Sequence, residues 1–309
     1  MFLAKFFEPK PFNQGYLPEV DGHKVFFWEF GNPKGKVIMS THGGPGGSNK
    51  VSYIKDLDLK KYRVIVFDQR GCGKSLPLGS VEKNTTKDTI KDMARLLDYL
   101  NIKEKVIVRG YSWASTLALL FAEAYPERID KLFVSMIFLA DNDYKKWMYE
   151  ESAKIYPDIM DKIKASNKTK KSLAQDCFDK LCSNDEKQIV DALSNFGGYE
   201  NVLGKLNPKT EINEYSEKDL VSAKIFMHYE INDYFMEDNQ IIKNASKIAH
   251  IPTLIIHNRM DFCCLVDNAY KLYKSMPKSK LIIVPDMGHG SLMLGKVCKK
   301  EFRAFLSER

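Results

Sequence analysis

Five short, unbroken apolar runs constrain this chain more than any other feature. They are Arg63-Val64-Ile65-Val66-Phe67, Lys105-Val106-Ile107-Val108, Lys131-Leu132-Phe133-Val134-Ser135-Met136, Pro252-Thr253-Leu254-Ile255-Ile256-His257 and Lys280-Leu281-Ile282-Ile283-Val284. A strand with one wet face alternates apolar and polar side chains. A run that is apolar almost throughout is covered on both faces, as in a parallel sheet sandwiched between helices. The intervening segments are helical in pattern: Thr89 to Leu100 repeats Ile90, Met93, Leu96, Leu97 and Leu100 at helical spacing, and Ser115 to Tyr125 is strongly apolar and stops before Pro126. Two earlier β-rich stretches precede them, Lys24 to Phe30 after the Asp21-Gly22 turn signal and Lys36 to Ser40 leading into a glycine-rich loop. The predicted fold class is α/β, with a mostly parallel central sheet flanked by helices.

That rhythm changes twice. Between about Asp141 and Lys247 the strand signal gives way to Lys/Asp/Asn-rich amphipathic segments, one opened by the capping box Ser216-Glu217-Lys218-Asp219. Strands then resume, and a last helix is predicted near Val297 to Leu306. The expected organisation is a first core part over 1–140, a helical insertion over 141–247 and a second core part over 248–309. A chain of 309 residues can bury a core of that size without disulfides. The six cysteines (Cys72, Cys177, Cys182, Cys263, Cys264 and Cys298) lack the spacing of a zinc site and read as reduced thiols, with Cys177 and Cys182 as buried helix residues. The net charge of +7 comes from dispersed lysines without interleaved aromatics, which argues for a solvated surface and against a nucleic-acid partner. No apolar run reaches the roughly 20 residues of a membrane helix. The opening Met1 to Pro11 is broken by Lys5, Glu8 and Lys10 too early for a secretory leader, so a soluble, cytoplasmic protein is expected. The oligomeric state leaves no mark in the sequence.

The chemistry concentrates at strand ends. Val108-Arg109-Gly110-Tyr111-Ser112-Trp113-Ala114-Ser115 sets a serine between a buried strand and a long helix, in the manner of the G-x-S-x-G elbow that exposes a nucleophilic Oγ above a sheet. Here alanine takes the last position. Such a serine needs a base, and of the six histidines His289 alone lies in a Gly-His-Gly loop directly after a late buried strand. Asp261, just beyond the strand ending at His257, is the expected orienting acid. Asp286 is its rival but stands very close in sequence to His289. The order Ser112, Asp261, His289 is that of the α/β-hydrolase fold. An oxyanion needs backbone donors, and Thr41-His42-Gly43-Gly44-Pro45-Gly46-Gly47 supplies Gly43 or Gly44 to pair with the N–H of Trp113. Gly73-Lys74-Ser75 does not complete a nucleotide-binding loop, because Asp68 stands where its first glycine would be and Pro77 interrupts the helix that should follow. No dinucleotide fingerprint or metal-ligand pair is present, so neither cofactor nor metal is expected.

Taken together, His42 to Gly47, Asp68-Gln69-Arg70-Gly71-Cys72-Gly73-Lys74-Ser75, the Ser112-Trp113 pair followed by Ser115-Thr116-Leu117-Ala118-Leu119, and the Asp261 and His289 loops resemble the proline iminopeptidases of the α/β-hydrolase superfamily over most of the chain. The insertion is similar to that family's cap domain. The resemblance implies release of an N-terminal residue, typically proline, from short peptides, with the cap reading the free amino group. It also makes Glu230, ahead of Tyr234-Phe235, the first substrate-binding candidate, with Asp233 and Glu237 in reserve. Tyr111 and Ala114 stand where the family usually has glycine, and Leu265 where it commonly has proline. An esterase or amidase for small acyl substrates would use the same triad, and a non-catalytic ligand-binding relative would keep the fold. An epoxide or haloalkane hydrolase would need an aspartate in place of Ser112.

Overall fold

A computed structural model describes residues 8–205, 214–290 and 295–307. Residues 1–7 of the stretch read above for a leader lie outside the described residues. Eight strands form one sheet: β1 (Asn13–Tyr16), β2 (Phe26–Gly31), β3 (Lys36–Thr41), β4 (Tyr62–Phe67), β5 (Val106–Tyr111), β6 (Ile129–Ser135), β7 (Thr253–Asn258) and β8 (Ser279–Val284). Their order is β1-β2-β4-β3-β5-β6-β7-β8. The β1–β2 and β2–β4 pairs are antiparallel, and all later pairs are parallel. Each unbroken apolar run falls on a strand, but β8 is the sheet edge, where only Val284 of Lys280 to Val284 is buried. Val64, Ile65, Val106, Leu132, Val134, Leu254, Ile255 and Ile256 are fully buried because helices cover both faces of the sheet.

β1 carries no apolar pattern and was not predicted. Its four residues are held by backbone pairing of Asn13 to Tyr16 with Phe26 to Glu29, and three of the four are exposed. The Asp21-Gly22 turn is as read, with both residues at positive φ and Val20 bridged to His23.

Helices α1 (Thr86–Tyr99) and α2 (Trp113–Ala124) follow the expected ranges closely, α1 with a full Thr85–Asp88 capping box. Between β6 and β7 every described element is helical. The longer ones are α3 (Asn142–Tyr149), α4 (Pro157–Ser166), α5 (Leu173–Leu181), α6 (Glu186–Ala192), α7 (Gly198–Lys205) and α8 (Glu217–Ile231), followed by the short α9 (Gln240–Asn244). Helix α8 begins with the predicted box, Ser216 Oγ accepting from Asp219 N–H at 3.3 Å and the Asp219 carboxylate accepting from Ser216 N–H at 3.0 Å. The chain returns through α10 (Val266–Ser275) and ends on α11 (Lys296–Ser307). None of the described helices is long and apolar enough to cross a membrane.

The cysteines are free thiols, and Cys177 is buried in α5 as predicted. Cys182 is exposed, a correction to the sequence reading: α5 ends at Leu181, so Cys182 caps the helix instead of joining its apolar face. The Gly-Lys-Ser segment wraps Asp68, whose carboxylate accepts from Lys74 N–H at 2.8 Å and Asn49 N–H at 2.9 Å. A Cβ on Gly73 would stand 2.0 Å from that carboxylate, so this turn exists to enclose an aspartate.

Candidate active site

Parallel strands all release their chain at the same sheet edge, and the crevice beyond that edge is where α/β folds place their chemistry. Ser112 follows β5, Asp261 follows β7 and His289 follows β8. The sharp turn at Ser112 has a physical cause. Ser112 sits at φ 54° and ψ −131°, outside the comfortable regions for a residue with a side chain, and its N–H is held by Ser135 O at 3.0 Å. Gly110 permits the turn, since a Cβ there would meet Ala114 O at 2.1 Å. Ala114 itself is accommodated within the buried start of α2, and Tyr111 packs its ring edge-on against Phe133 below the turn.

This geometry joins the three residues. His289 Nδ1 lies 2.8 Å from Asp261 Oδ2, and His289 Nε2 lies 3.1 Å from Ser112 Oγ. The other Asp261 oxygen accepts from the N–H groups of Cys263 at 3.0 Å and Cys264 at 2.8 Å. With Asp261 accepting at Nδ1, the free lone pair of Nε2 faces the hydroxyl, which is the tautomer a general base needs. Asp286 is exposed and takes no part. His257 is a core residue, its Nδ1 accepting from Ile137 N–H at 3.0 Å and its Nε2–H donating to Cys264 O at 2.7 Å.

The oxyanion loop lies beside the serine. A Cβ on Gly43 would be 3.9 Å from Ser112 Oγ, Gly44 lines the same pocket, and Trp113 opens α2, where the first N–H groups lack helical partners. Gln69 ties the two halves together. Its amide nitrogen donates to His42 O at 2.8 Å, and its amide oxygen accepts from the Trp113 indole at 3.0 Å. His42 is locked by donating through Nδ1 to Gly43 O at 2.8 Å while Nε2 accepts from Gln69 N–H at 3.0 Å.

The space against Ser112 and His289 is only about 20 Å³ and is lined also by Phe138, Tyr144, Met148 and Phe226. Glu230 sits behind this wall, buried, with its carboxylate accepting from Tyr149 OH at 2.8 Å and from Tyr234 OH. Burial raises its pKa more than the tyrosine hydroxyls lower it. The reserve candidates lie further out: Asp233 is exposed and paired with Lys145, though it lines a pocket with Glu230, and Glu237 is exposed in the turn before α9. The acid that sequence reasoning missed is Glu200 on α7, which lines the pocket with Ser112 and His289. Burial raises its pKa, His289 opposes the rise, and Glu230 adds to it. Its only sequence signal is an acid beside Tyr199, Val202 and Leu203, which turn inward. Many acids in the insertion have similar neighbours.

Cys263 and Cys264 follow the acid and donate their backbone N–H groups to it. Both are buried, and desolvation raises both thiol pKa values, which slows attack by thiol reagents. Among the described residues, Asp261, Cys263 and His289 offer ligand atoms within 4.8 Å of one another. Two of these are already bonded to each other and the thiol is held protonated, a poor donor set for a metal.

Burial alone would lower the His289 pKa, but the adjacent Asp261 outweighs it and holds the imidazole well above the ordinary 6.5. A base must be neutral to accept a proton, so activity is lost as pH falls through this raised value. The rate at which a fluorophosphonate labels Ser112 should therefore show its acid-side inflection above 6.5. An inflection at or below that value would contradict the pairing.

Comparison with known proteins places this arrangement in a class. A family model described as alpha/beta hydrolase fold matches residues 36–296. The structure of a bromoperoxidase from Bacillus anthracis superposes with a TM-score of 0.64 at 20% identity, covering 93% of this chain and 96% of that one, which shows the same fold. In sequence, the chain is 34% identical over 293 residues to a probable proline iminopeptidase of Leptolyngbya boryana, covering 92% of this chain and 91% of the relative. It is 35% identical over 291 residues to the proline iminopeptidase of Arabidopsis thaliana, covering 91% of this chain and 76% of the relative. The chain belongs to the proline iminopeptidase family of α/β-hydrolases.

Proposed function

We propose that this protein is a serine aminopeptidase that releases an N-terminal residue, proline foremost, from short peptides. The observation that carries the reading is the continuous chain of hydrogen bonds from Asp261 through His289 to Ser112, with the half-buried Glu200 lining the same pocket. Ser112 Oγ attacks the first carbonyl carbon as its proton passes to His289 Nε2. The N–H groups of Trp113 and of Gly43 or Gly44 hold the resulting oxyanion, each contributing about 3 kcal/mol in the transition state. The carbon–nitrogen bond then breaks, His289 returns the proton to the departing amine, and water hydrolyses the acyl-enzyme by the same route.

Residues 141–247 act as the cap in this reading, and Glu230 and Glu200 receive the substrate's ammonium. Their closeness explains the choice. Burial and mutual repulsion disfavour two ionised carboxylates, and a cation between them relieves both. Glu230→Gln and Glu200→Gln keep shape and remove charge, so each should cost roughly 2 to 5 kcal/mol in kcat/KM for a Pro-arylamide. Hydrolysis of a small acyl ester, which has no ammonium, should change far less. Equal losses on both substrates would remove these acids from recognition, and ester hydrolysis without arylamide hydrolysis by the wild type would make the protein an esterase.

A further inference from the structure

Beside the small space at Ser112 lies a much larger one. A cleft of about 400 Å³ shares Gly44, Glu200 and Phe226 with the catalytic pocket and runs between the oxyanion loop and the helical layer. That volume falls in the range of small-molecule sites. Its floor is apolar, formed by Leu181, Leu193, Ala223, Phe226 and Met227 from α5, α6 with the turn after it, and α8. Glu214 and Asp219 add carboxylates beside Glu200, which the aminopeptidase reading gives to the ammonium, and among the described residues no lysine or arginine lines it.

The cleft is a designed boundary between two elements and not loose packing. A Cβ on Gly46 would lie 2.3 Å from Ser222 O, so the oxyanion loop and α8 are pressed together at its edge. On the opposite side of Ser112, Tyr144, Met148 and Phe138 enclose the pocket. A peptide bound with its first residue there, its amino group toward Glu230, has to send its remaining residues elsewhere. The cleft that adjoins the pocket at Gly44, Glu200 and Phe226 offers space for them.

Building on the aminopeptidase reading, we propose that this cleft is the leaving-side subsite, selecting peptides whose second residue is large and apolar and rejecting those with a carboxylate there. An apolar side chain gains from burial against Leu181, Leu193 and Met227. A carboxylate would be desolvated among like charges.

The test compares kcat/KM for Pro-Phe-NH2, Pro-Gly-NH2 and Pro-Glu-NH2 on the wild type, Ala223→Phe and Leu193→Phe. On the wild type the phenylalanine peptide should exceed the glycine peptide by about tenfold or more, and the glutamate peptide should be the slowest. Either substitution fills the cleft and should bring the Phe/Gly ratio close to one. The ratio is independent of how much active protein each variant yields. Equal wild-type rates on the three peptides, or a ratio that survives both substitutions, would overturn the subsite. A parallel comparison of 2-phenylethyl and methyl esters of one small acid separates the two readings. If no proline amide is cleaved but esters are, the aminopeptidase reading fails, and the ester leaving-group ratio and its loss in Ala223→Phe still decide the cleft.

Discussion

Replacing Ser112 by alanine is expected to lower turnover of a Pro-arylamide by about 10⁶, with His289→Ala close behind and the double variant no worse than either. Serine and histidine act as one unit, because the 3.1 Å contact makes the hydroxyl a nucleophile only while Nε2 can take its proton. The fold should persist. Ser112 contributes no side-chain cap to α2, and the elbow is held by its backbone bond to Ser135 and by Gly110. The measurements are steady-state kcat together with thermal unfolding of each variant. Turnover within about tenfold of the wild type in Ser112→Ala, contaminating enzyme excluded, would end the proposed mechanism.

Asp261→Asn should lower turnover by about 10⁴, less than loss of the serine but more than any cap substitution. The direction follows from the bonding around the acid. Two backbone N–H groups, from Cys263 and Cys264, occupy one carboxylate oxygen. An asparagine would turn its carbonyl toward them and present its NH2 to His289. The imidazole would then accept at Nδ1 and carry its proton on Nε2, where it opposes the serine hydroxyl. The largest upward pull on the histidine would also be lost, so the remaining activity should have its acid-side inflection at lower pH than the wild type. Asp286→Asn, which alters an exposed acid in the loop after β8, provides the control and should leave turnover near the wild-type level. Similar losses in the two variants would show a general disturbance of the strand-end loops and not a specific loss of the Asp261 carboxylate.

Much of the scaffold was legible because burial on two faces leaves a one-dimensional signature. The runs at Arg63 to Phe67 and Pro252 to His257 could only be strands between helical layers, and they are β4 and β7. β1 left no such trace, since its edge position asks for backbone pairing and not for apolar side chains. Cys182 was misread for a related reason: helical phase carries a residue onto an apolar face only while the helix lasts, and α5 stops one residue earlier. The acids proposed to bind substrate were legible only in part. Glu230 was found by resemblance, but Asp233, three residues on, points its carboxylate to Lys145 at the surface, and nothing local to Glu200 distinguishes it from the other acids of the insertion.

Sequence by itself determined the sheet, its helical interruption and the three residues placed after β5, β7 and β8, because strand ends and turn chemistry are local properties written in neighbouring residues. Tertiary structure alone decided which acids approach the serine, how Gln69 joins the oxyanion loop to Trp113, and that the pocket is nearly closed while an apolar cleft opens beside it. Those features depend on how α7 and α8 lie across the sheet edge. A packing angle between helices is set by all the side chains at their contact, and no short stretch of chain encodes it.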